Sequence, residues 1–341
     1  MVEPDGKNLI LLFSTPRSGS TLLSTILGNH ADIFCPNEPW LLLSLHSLLG
    51  DPDTPLTEGD THWTRLGLRE FLSPPEFLPA ARAFALAAYN QKLRDSARTH
   101  FLDKTPRYYH ILPFIDDLFP AAKKIWLQRN PLAVAASFQS TWKVPMESLV
   151  AQDSSALSFD LTLSLHNFQS FLGGRTDVFP IRYEDLVVDP APHLERLCRY
   201  LEIPAQAGLE NYAGNPEQVD ALRQKTMGDK KIFAHSRPHT QSLDRWETEL
   251  SRAQIQLLLD AIGTRFFSAF GYTDTLDRLR AQNYSFPSDA TVDQRMDALA
   301  AQSRAVLTNG APLPEPPAQA ADSPGWKGLV EKLRGPRPRN D

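Results

Sequence analysis

The stretch Leu9–His30, LILLFSTPRSGSTLLSTILGNH, decides the fold of this chain. Its apolar run Leu9–Phe13 shows no polar alternation, which is typical of a strand buried on both faces of a parallel sheet. A short polar loop follows, and the apolar residues after it recur at helical spacing: Leu22, Leu23, Ile26 and Leu27. The stretch therefore predicts a strand, a loop and a helix, with the loop at the carboxyl end of the strand.

The loop has the chemistry of an anion site. The start of a helix directs backbone N–H groups and the positive end of the helix dipole at one point. Arg17 adds a guanidinium, and hydroxyl side chains that suit a phosphate- or sulfate-like group lie beside it: Ser18, Ser20 and Thr21. The loop lacks the G-x-x-x-x-G-K-[ST] spacing of nucleotide triphosphatases. The pattern alone leaves open an ordinary turn with helix-capping hydroxyls.

Composition narrows the class of protein. The chain has 341 residues, 42% hydrophobic and 22% charged, which is typical of a soluble globular protein with a substantial core. Its formal net charge of −5 argues against a general nucleic-acid binder. Two cysteines, Cys35 and Cys198, make neither a disulfide framework nor a zinc site. Without a signal-peptide pattern or a window of membrane-spanning length, we expect a cytoplasmic protein.

Strand and helix patterns alternate along most of the chain, which predicts an α/β layered domain with a largely parallel sheet. Asn130 and Pro131 are placed as the N-cap and first residue of a helix. Further strands are predicted at 31–35, 101–103, 124–127 and 178–183. Helices are predicted at 41–49, 80–100, 108–119, 132–142, 156–172, 190–201 and 251–270.

The alternation ends near Tyr272. We therefore expect one domain over residues 1–275 and an appended helical segment over 276–310. Residues 311–341 are rich in Pro and Ala and read as a mobile tail.

Charged residues follow four of the predicted strands: Arg17, Glu38, Lys104 and Arg129. Taken singly, each has an ordinary explanation, such as a surface arginine, an acid at a helix start or a solvated loop lysine. In an open parallel sheet, however, ligands bind beyond the carboxyl ends of the strands. Because all four residues follow the carboxyl ends of predicted strands, their positions together favour a functional site.

Several segments together resemble the sulfotransferases that use 3′-phosphoadenosine 5′-phosphosulfate (PAPS). Thr15–Leu22, TPRSGSTL, is similar to their 5′-phosphosulfate loop. Arg129-Asn130-Pro131, followed by Ser137, resembles their 3′-phosphate motif, and Arg182–Leu186, RYEDL, resembles a segment that follows a later strand. The resemblance spans about residues 8–272.

Two further segments resemble particular branches of that family. Glu38 follows Arg17 at the distance at which tyrosylprotein sulfotransferases carry their base. Asp103–Pro106, DKTP, is similar to a segment of the sulfotransferase domains in bacterial polyketide assembly lines.

The resemblance implies a P-loop-like three-layer fold with a central, mainly parallel sheet flanked by helices. It also implies PAPS as the co-substrate, PAP as the product and no metal. The residues that would hold the 5′-phosphosulfate are Arg17, Ser18, Gly19, Ser20, Thr21 and Leu22. Arg129 and Ser137 would hold the 3′-phosphate, and Tyr183 would contact the adenine. The basic segment 225–245 would close as a lid with Ser242 near the phosphates, although it lacks the R-K-G-x-x-G sequence of the cytosolic steroid and phenol enzymes.

Sulfuryl transfer needs positive groups aimed at the leaving oxygen and a base for the acceptor hydroxyl. Arg17 and Lys104 can supply the first, and Glu38 is the candidate base. A histidine is the alternative base, with His62 and His110 nearest to predicted site elements.

Two other functions stay open at this point, a P-loop kinase-like phosphotransferase and a non-catalytic nucleotide-binding module. A kinase would need a Walker lysine and magnesium ligands, which the sequence does not offer. The stretches 41–100 and 140–175, rich in aromatic and aliphatic residues, favour an apolar or carrier-bound hydroxyl acceptor. No nucleic-acid partner is expected, and the oligomeric state is not encoded in any recognisable pattern.

Overall fold

The computed structural model describes residues 1–36, 38–47, 67–68, 70–151, 156–212, 232 and 235–309. These residues form two compact units. The first unit contains the described residues of 1–129, 164–241 and 303–309, and the second contains those of 130–163 and 242–302.

A parallel sheet forms the core of the first unit, and among the described residues it has five strands. The strands are β1 Leu9–Ser14, β2 Ile33–Phe34, β3 His100–Asp103, β4 Lys123–Gln128 and β5 Val178–Arg182. Their order across the sheet is β2-β3-β1-β4-β5, and each neighbouring pair is parallel. The α/β fold with a central parallel sheet is therefore as the sequence predicts.

β1 lies at the centre of the sheet because its side chains avoid water on both faces. All six of its residues are buried, and the strand pairs with β3 on one side and β4 on the other. β5 is an edge strand, which accommodates Pro180 because an edge position does not need every backbone N–H in the ladder.

The helices of the described residues are numbered here along the chain. They are α1 Ser20–Gly28, α2 Leu41–Ser47, α3 Pro74–Ser96, α4 Leu112–Leu118, α5 Pro131–Trp142, α6 Met146–Leu149, α7 Ala156–Ser158, α8 Ser164–Leu172, α9 Tyr183–Val188, α10 Pro190–Leu201, α11 Trp246–Glu249, α12 Arg252–Ile262, α13 Arg265–Ala269, α14 Thr273–Ala281 and α15 Asp289–Asn309. A 3₁₀ turn at Pro106–His110 precedes α4, and a π turn at Phe159–Leu163 joins α7 to α8.

Local capping signals set several helix ends. The Asn130 side chain accepts a hydrogen bond from the Leu132 N–H at 3.0 Å, as expected of the N-cap of α5. α3 begins at Pro74, earlier than residue 80, because Ser73 and Glu76 form a capping box.

Two predicted helices are each divided in the structure, and the prediction of single helices was wrong. The pattern over 108–119 becomes the 3₁₀ turn and α4, because Pro113 lacks an N–H and disfavours helical continuation before it. The pattern over 251–270 ends at Ile262, because Gly263 takes the left-handed φ of +65° and starts a new direction.

Some of the predicted features fall on residues outside the described part of the chain. These are His62, residues 48–66 of the 41–100 stretch, residues 225–231, 233 and 234 of the basic segment and the 311–341 tail. The domain boundary near residue 275 stays a prediction. Within the described ranges, no helix combines the length and the apolar character that crossing a membrane requires.

Candidate active site

The sheet order places the predicted site residues in a row along the side of the sheet where the strands have their carboxyl ends. Because all neighbouring strands are parallel, the segments after β2, β3, β1, β4 and β5 leave the sheet at the same edge. In that order they carry Glu38, Lys104, the Arg17 loop, Arg129 and Tyr183. Adjacent strands lie about 4.8 Å apart. The row therefore begins with a carboxylate–ammonium pair and ends with a guanidinium and a phenol ring.

The loop after β1 is curled by two residues with left-handed backbone. Arg17 has φ of +69° and Gly19 has φ of +95°. α1 starts at the next residue, and no acidic residue lies in its first turn. The loop thus brings a helix N-terminus, with its positive dipole end, to the end of the central strand. The Thr15 hydroxyl, 3.1 Å from the Ser164 hydroxyl, fastens the loop to α8.

Gly19 packs directly against the ring of Tyr183. A Cβ placed on Gly19 would lie 2.4 Å from Cδ2 of that ring, a distance real Cβ contacts do not reach. Residue 19 is therefore glycine for two reasons, the left-handed φ and the ring. This contact joins the first loop to the start of α9.

Arg129 joins the same two elements from the end of β4. Its Nη1 donates a hydrogen bond to the Arg17 carbonyl oxygen at 3.0 Å. Its guanidinium lies over the Tyr183 ring, 4.2 Å from the centroid, as a cation–π contact. The Tyr183 ring, 7% exposed, is thus packed against both Gly19 and Arg129. The structure brings together the predicted phosphate-binding arginine, the loop and the predicted adenine-contacting tyrosine.

Lys104 and Glu38 form a buried ion pair at the other end of the row. Lys104 Nζ donates to Glu38 Oε1 at 2.7 Å, and the two side chains are 2% and 10% exposed. The backbone after Glu38 is fixed by the Trp40 N–H, which donates to Thr105 Oγ1 at 3.2 Å. Buried ions need a partner of opposite charge, because their desolvation is otherwise uncompensated. Each of the two predicted catalytic groups therefore compensates the buried charge of the other.

The structure adds a buried residue that sequence reasoning did not assign a role, Asp103. Its carboxylate accepts hydrogen bonds from the Tyr89 hydroxyl at 2.6 Å, the Tyr108 hydroxyl at 2.8 Å and Thr105 Oγ1 at 3.4 Å. Burial raises the pKa of Asp103 to about 6, although these hydroxyls and the charge of Lys104 lower it. The D-K-T-P segment drew attention to this position in the sequence, but no sequence pattern indicated that the two tyrosines would contact Asp103.

His110, the alternative base, is held among side chains that do not belong to the predicted site. Its Nδ1 lies 2.7 Å from Ser303 Oγ, and its ring lies 4.1 Å from that of Tyr109. Burial, together with the nearby charges of Arg107 and His46, lowers the pKa of His110 to about 3. An imidazole with so low a pKa is a weak base at neutral pH.

Ser137 and Ser242 lie in the second unit, and both are half-buried. Ser137 is on α5, where its carbonyl oxygen accepts a hydrogen bond from the Ser140 hydroxyl at 3.4 Å. Their roles beside the 3′-phosphate and the other phosphates stay predictions.

A comparison with known families decides the class of the protein. The model of a family described as the sulfotransferase family matches residues 10–207. The chain belongs to the sulfotransferase family. Nodulation protein NoeE of Sinorhizobium fredii is 33% identical over 289 residues, which are 80% of this chain and 68% of that protein.

Other family members agree at lower identity. Protein-tyrosine sulfotransferase 1 of Danio rerio is 24% identical over 212 residues, 58% of this chain and 53% of that protein, so the chain spans about half of its length. The sulfotransferase domain of the Synechococcus PCC 7002 olefin synthase is 25% identical, with a TM-score of 0.50 over 73% of this chain and 93% of that one. The sulfotransferase domain of the curacin biosynthetic pathway shares the fold, at 22% identity and a TM-score of 0.52 over 82% and 98% of the two chains.

The Gly19–Tyr183 packing gives a first prediction. Gly19→Ala should destabilise the protein by more than the roughly 1–2 kcal/mol that a left-handed φ costs a non-glycine residue, because the new Cβ also meets the ring. Urea unfolding measures the free energy. Gly174→Ala is the matched control, since Gly174 has φ of +77° and a Cβ added there would meet no atom of the described residues within 4 Å. Equal losses in the two variants would contradict the packing argument.

Asp103 gives a second prediction, on pH dependence. Between about pH 4 and pH 6 the folded chain keeps a proton on Asp103 that the unfolded chain has lost. The contribution of Asp103 to the free energy of unfolding should therefore fall by about 3 kcal/mol as pH rises through this window and stay constant above it. The low pKa of His110 gives a slope of opposite sign in the same window. The fall is therefore sought in the difference between wild type and Asp103→Asn, measured by urea unfolding at a series of pH values. The exposed Asp95→Asn variant should follow the wild type, and a wild-type slope retained in Asp103→Asn would refute the assignment.

Proposed function

We propose that this sulfotransferase transfers the sulfuryl group of PAPS to an acceptor hydroxyl, with Glu38 as the general base and Arg17 and Lys104 stabilising the leaving phosphate. The observation that carries the proposal is the row along the sheet edge, in which the anion loop lies between the Lys104–Glu38 pair and Arg129. Transfer from a donor with two phosphate groups to a hydroxyl requires three places in this order. The acceptor would bind beside Glu38 and Lys104, the sulfuryl group would be transferred at the anion loop, and the rest of the nucleotide would bind beside Arg129.

The donor set of the chain fits PAPS. The Arg129 guanidinium donates through Nη1 to the backbone carbonyl of Arg17, and the hydroxyl-bearing residues of the loop lie in sequence at the start of α1. Both features favour phosphate and sulfate oxygens. The 5′-phosphosulfate would be held by residues 17–22 and the 3′-phosphate by Arg129, with Tyr183 beside the adenine.

PAPS supplies a sulfuryl group on a 5′-phosphate, and the leaving oxygen of that phosphate gains negative charge as the bond to sulfur breaks. Arg17 and Lys104 lie on adjacent strand ends, so both positive groups can face that oxygen. Positioned charges of this kind act without a metal ion.

Glu38 is the base that the geometry favours. It lies at the acceptor end of the row, and Lys104 holds its carboxylate in place at 2.7 Å. The low pKa of His110 and its contact with Ser303 make the imidazole a poor rival. A positioned general base contributes roughly 10²–10⁴ in rate.

Aromatic side chains pack around α2, the helix that follows the Glu38 segment, in the first unit. The ring of His46, on α2, packs edge-on against the ring of Phe114, with 5.1 Å between the centroids. The ring of Phe77 lies 6.5 Å from that of Phe114, centroid to centroid. These contacts support an apolar hydroxyl acceptor, free or bound to a carrier. The cytoplasmic location stays a prediction.

Nucleotide titration tests the cofactor. We expect calorimetry to show that wild-type protein binds PAP more tightly than adenosine 5′-phosphate, because Arg129 pairs with the 3′-phosphate. Arg129→Ala should weaken PAP binding by about 10- to 100-fold, the effect of losing a charge-assisted hydrogen bond, and should change adenosine 5′-phosphate binding by about twofold or less.

The exposed Arg199→Ala variant is the control and should bind both nucleotides as the wild type does. Equal binding of the two nucleotides by wild-type protein would argue against PAPS. A kinase would instead require ATP and Mg²⁺, and a silent binder would show affinity without turnover.

Glu38→Gln tests the base. With radiolabelled PAPS and a panel of phenols and primary alcohols, this variant should lose about 10²–10⁴ in kcat, because glutamine cannot take the acceptor proton. Its affinity for PAP should match that of the wild type. Glu195→Gln, on the exposed face of α10, should retain full turnover. Undiminished turnover in Glu38→Gln would assign the base to another residue.

A further inference from the structure

Asp103 is a buried acid to which the proposed reaction assigns no part. Its side chain is fully buried at the end of β3, opposite Leu11 of the central strand. Tyr89 of α3 packs its ring on Phe101, 4.4 Å between centroids, and its hydroxyl reaches Asp103 two residues further along the same face. A second hydroxyl comes from Tyr108 of the 3₁₀ turn, and a third from Thr105.

Packing does not explain why this residue is charged. Three hydroxyls surround the carboxylate: those of Tyr89 and Tyr108 donate to Oδ2, and that of Thr105 donates to Oδ1. An asparagine of the same shape could accept from both tyrosine hydroxyls through its amide oxygen and donate its NH₂ group to Thr105 Oγ1. Burial raises the pKa of Asp103 to about 6, so the fold disfavours the ionised form that prevails above this pH. A charge that costs stability points to a role outside folding, as site residues often do.

Lys104 follows Asp103 directly in the chain, at the end of β3. The positive charge of Lys104 acts on the Asp103 carboxylate, and Lys104 is itself buried. Glu38 is the other carboxylate on that ammonium, at 2.7 Å from Nζ. The described groups around the cluster are therefore Tyr89, Tyr108 and Thr105 on Asp103, and Glu38 on Lys104.

During transfer, as proposed above, the acceptor hydroxyl gives its proton to Glu38. Its oxygen forms the new bond to sulfur with the electron pair thus released. The bond between sulfur and the 5′-phosphate oxygen breaks, and its electron pair leaves with the phosphate. Glu38 is then neutral, and the buried Lys104 has lost that counter-charge.

We propose that Asp103 is a positioning residue that acts through Lys104: its buried carboxylate keeps the Asp103–Lys104–Glu38 cluster charge-balanced when Glu38 takes up the proton. This inference rests on the proposed function. With Asp103 ionised, the cluster goes from one net negative charge to none on protonation of Glu38. With a neutral residue at 103, it would go from none to a buried net positive charge, which is the less favourable change. Asp103 thereby makes Glu38 the stronger base.

Asp103→Asn is the test, since it keeps the shape and removes the charge. We expect the variant to lose at least tenfold in kcat at pH 7.5, while its affinity for PAP and its KM for PAPS stay within twofold of wild type. The acid limb of its pH–kcat profile should move to lower pH by at least one unit, the smallest change in basicity that accounts for a tenfold loss. Its Tm at pH 7.5 should equal or exceed that of the wild type, whereas a purely structural role predicts a lower Tm and an unmoved acid limb.

Two further variants separate the charge from its surroundings. Asp103→Asn combined with Lys104→Met should be no slower than Lys104→Met alone, because the charge acts through Lys104. Tyr89→Phe removes one hydroxyl and keeps the charge, so its kcat above pH 7.5 should stay close to wild type. A tenfold loss in Tyr89→Phe, or additive losses in the double variant, would overturn the proposal.

A measurement without an acceptor decides the coupling independently of activity. Protein with ¹³C-labelled glutamate gives a carboxyl resonance for Glu38, assigned by its loss in Glu38→Gln. The titration midpoint of this resonance should be lower in Asp103→Asn than in wild type by at least one unit. An unmoved midpoint would refute the inference whatever the turnover. Wild-type protein that neither binds PAP nor transfers sulfate would instead refute the proposed function.

Discussion

The parallel pairing of β1 with β3 and β4 is the constraint on which the site depends. β1 is buried along its whole length, so a shift of one residue would expose part of it or misplace the loop that follows. The observed register puts Leu11 opposite both Asp103 and Lys124, and this fixes where each strand ends. Because the strands run in one direction, their order across the sheet becomes the order of functional groups along its edge.

The site places charge where a fold would ordinarily avoid it. Lys104, Glu38 and Asp103 remove three ionisable groups from water within a few residues of the most apolar strand. Buried ion pairs are weak contributors to stability, because desolvation offsets much of their attraction. Apolar burial in β1 and β4 has to compensate for this cost. By contrast, Lys124 of β4 pairs with Asp116 and Asp177, whose side chains reach solvent.

Sequence patterns predicted those parts of the fold that short-range signals determine. The strand–loop–helix of residues 9–30 and the N-cap at Asn130 depend on neighbours in the chain, and both are confirmed. The split at Gly263 was missed because apolar periodicity continues through it. The rows of charged residues at strand ends were predictable from topology. The packing of Tyr183 on Gly19 and the hydroxyls of Tyr89 and Tyr108 on Asp103 were not, because distant segments meet only in three dimensions.

The row of groups at the carboxyl ends of the strands also falls into two separate halves. The segments after β2 and β3 carry Glu38 and Lys104, whereas those after β4 and β5 carry Arg129 and Tyr183, and β1 stands between them. If the first pair serves the acceptor and the second the nucleotide, as proposed above, the segment around Glu38 can be exchanged for a new alcohol while Arg129 and Tyr183 continue to hold the nucleotide. A fold arranged in this way lends itself to diversification by exchange of one end, which makes chimeras between relatives a practical route to new sulfated products.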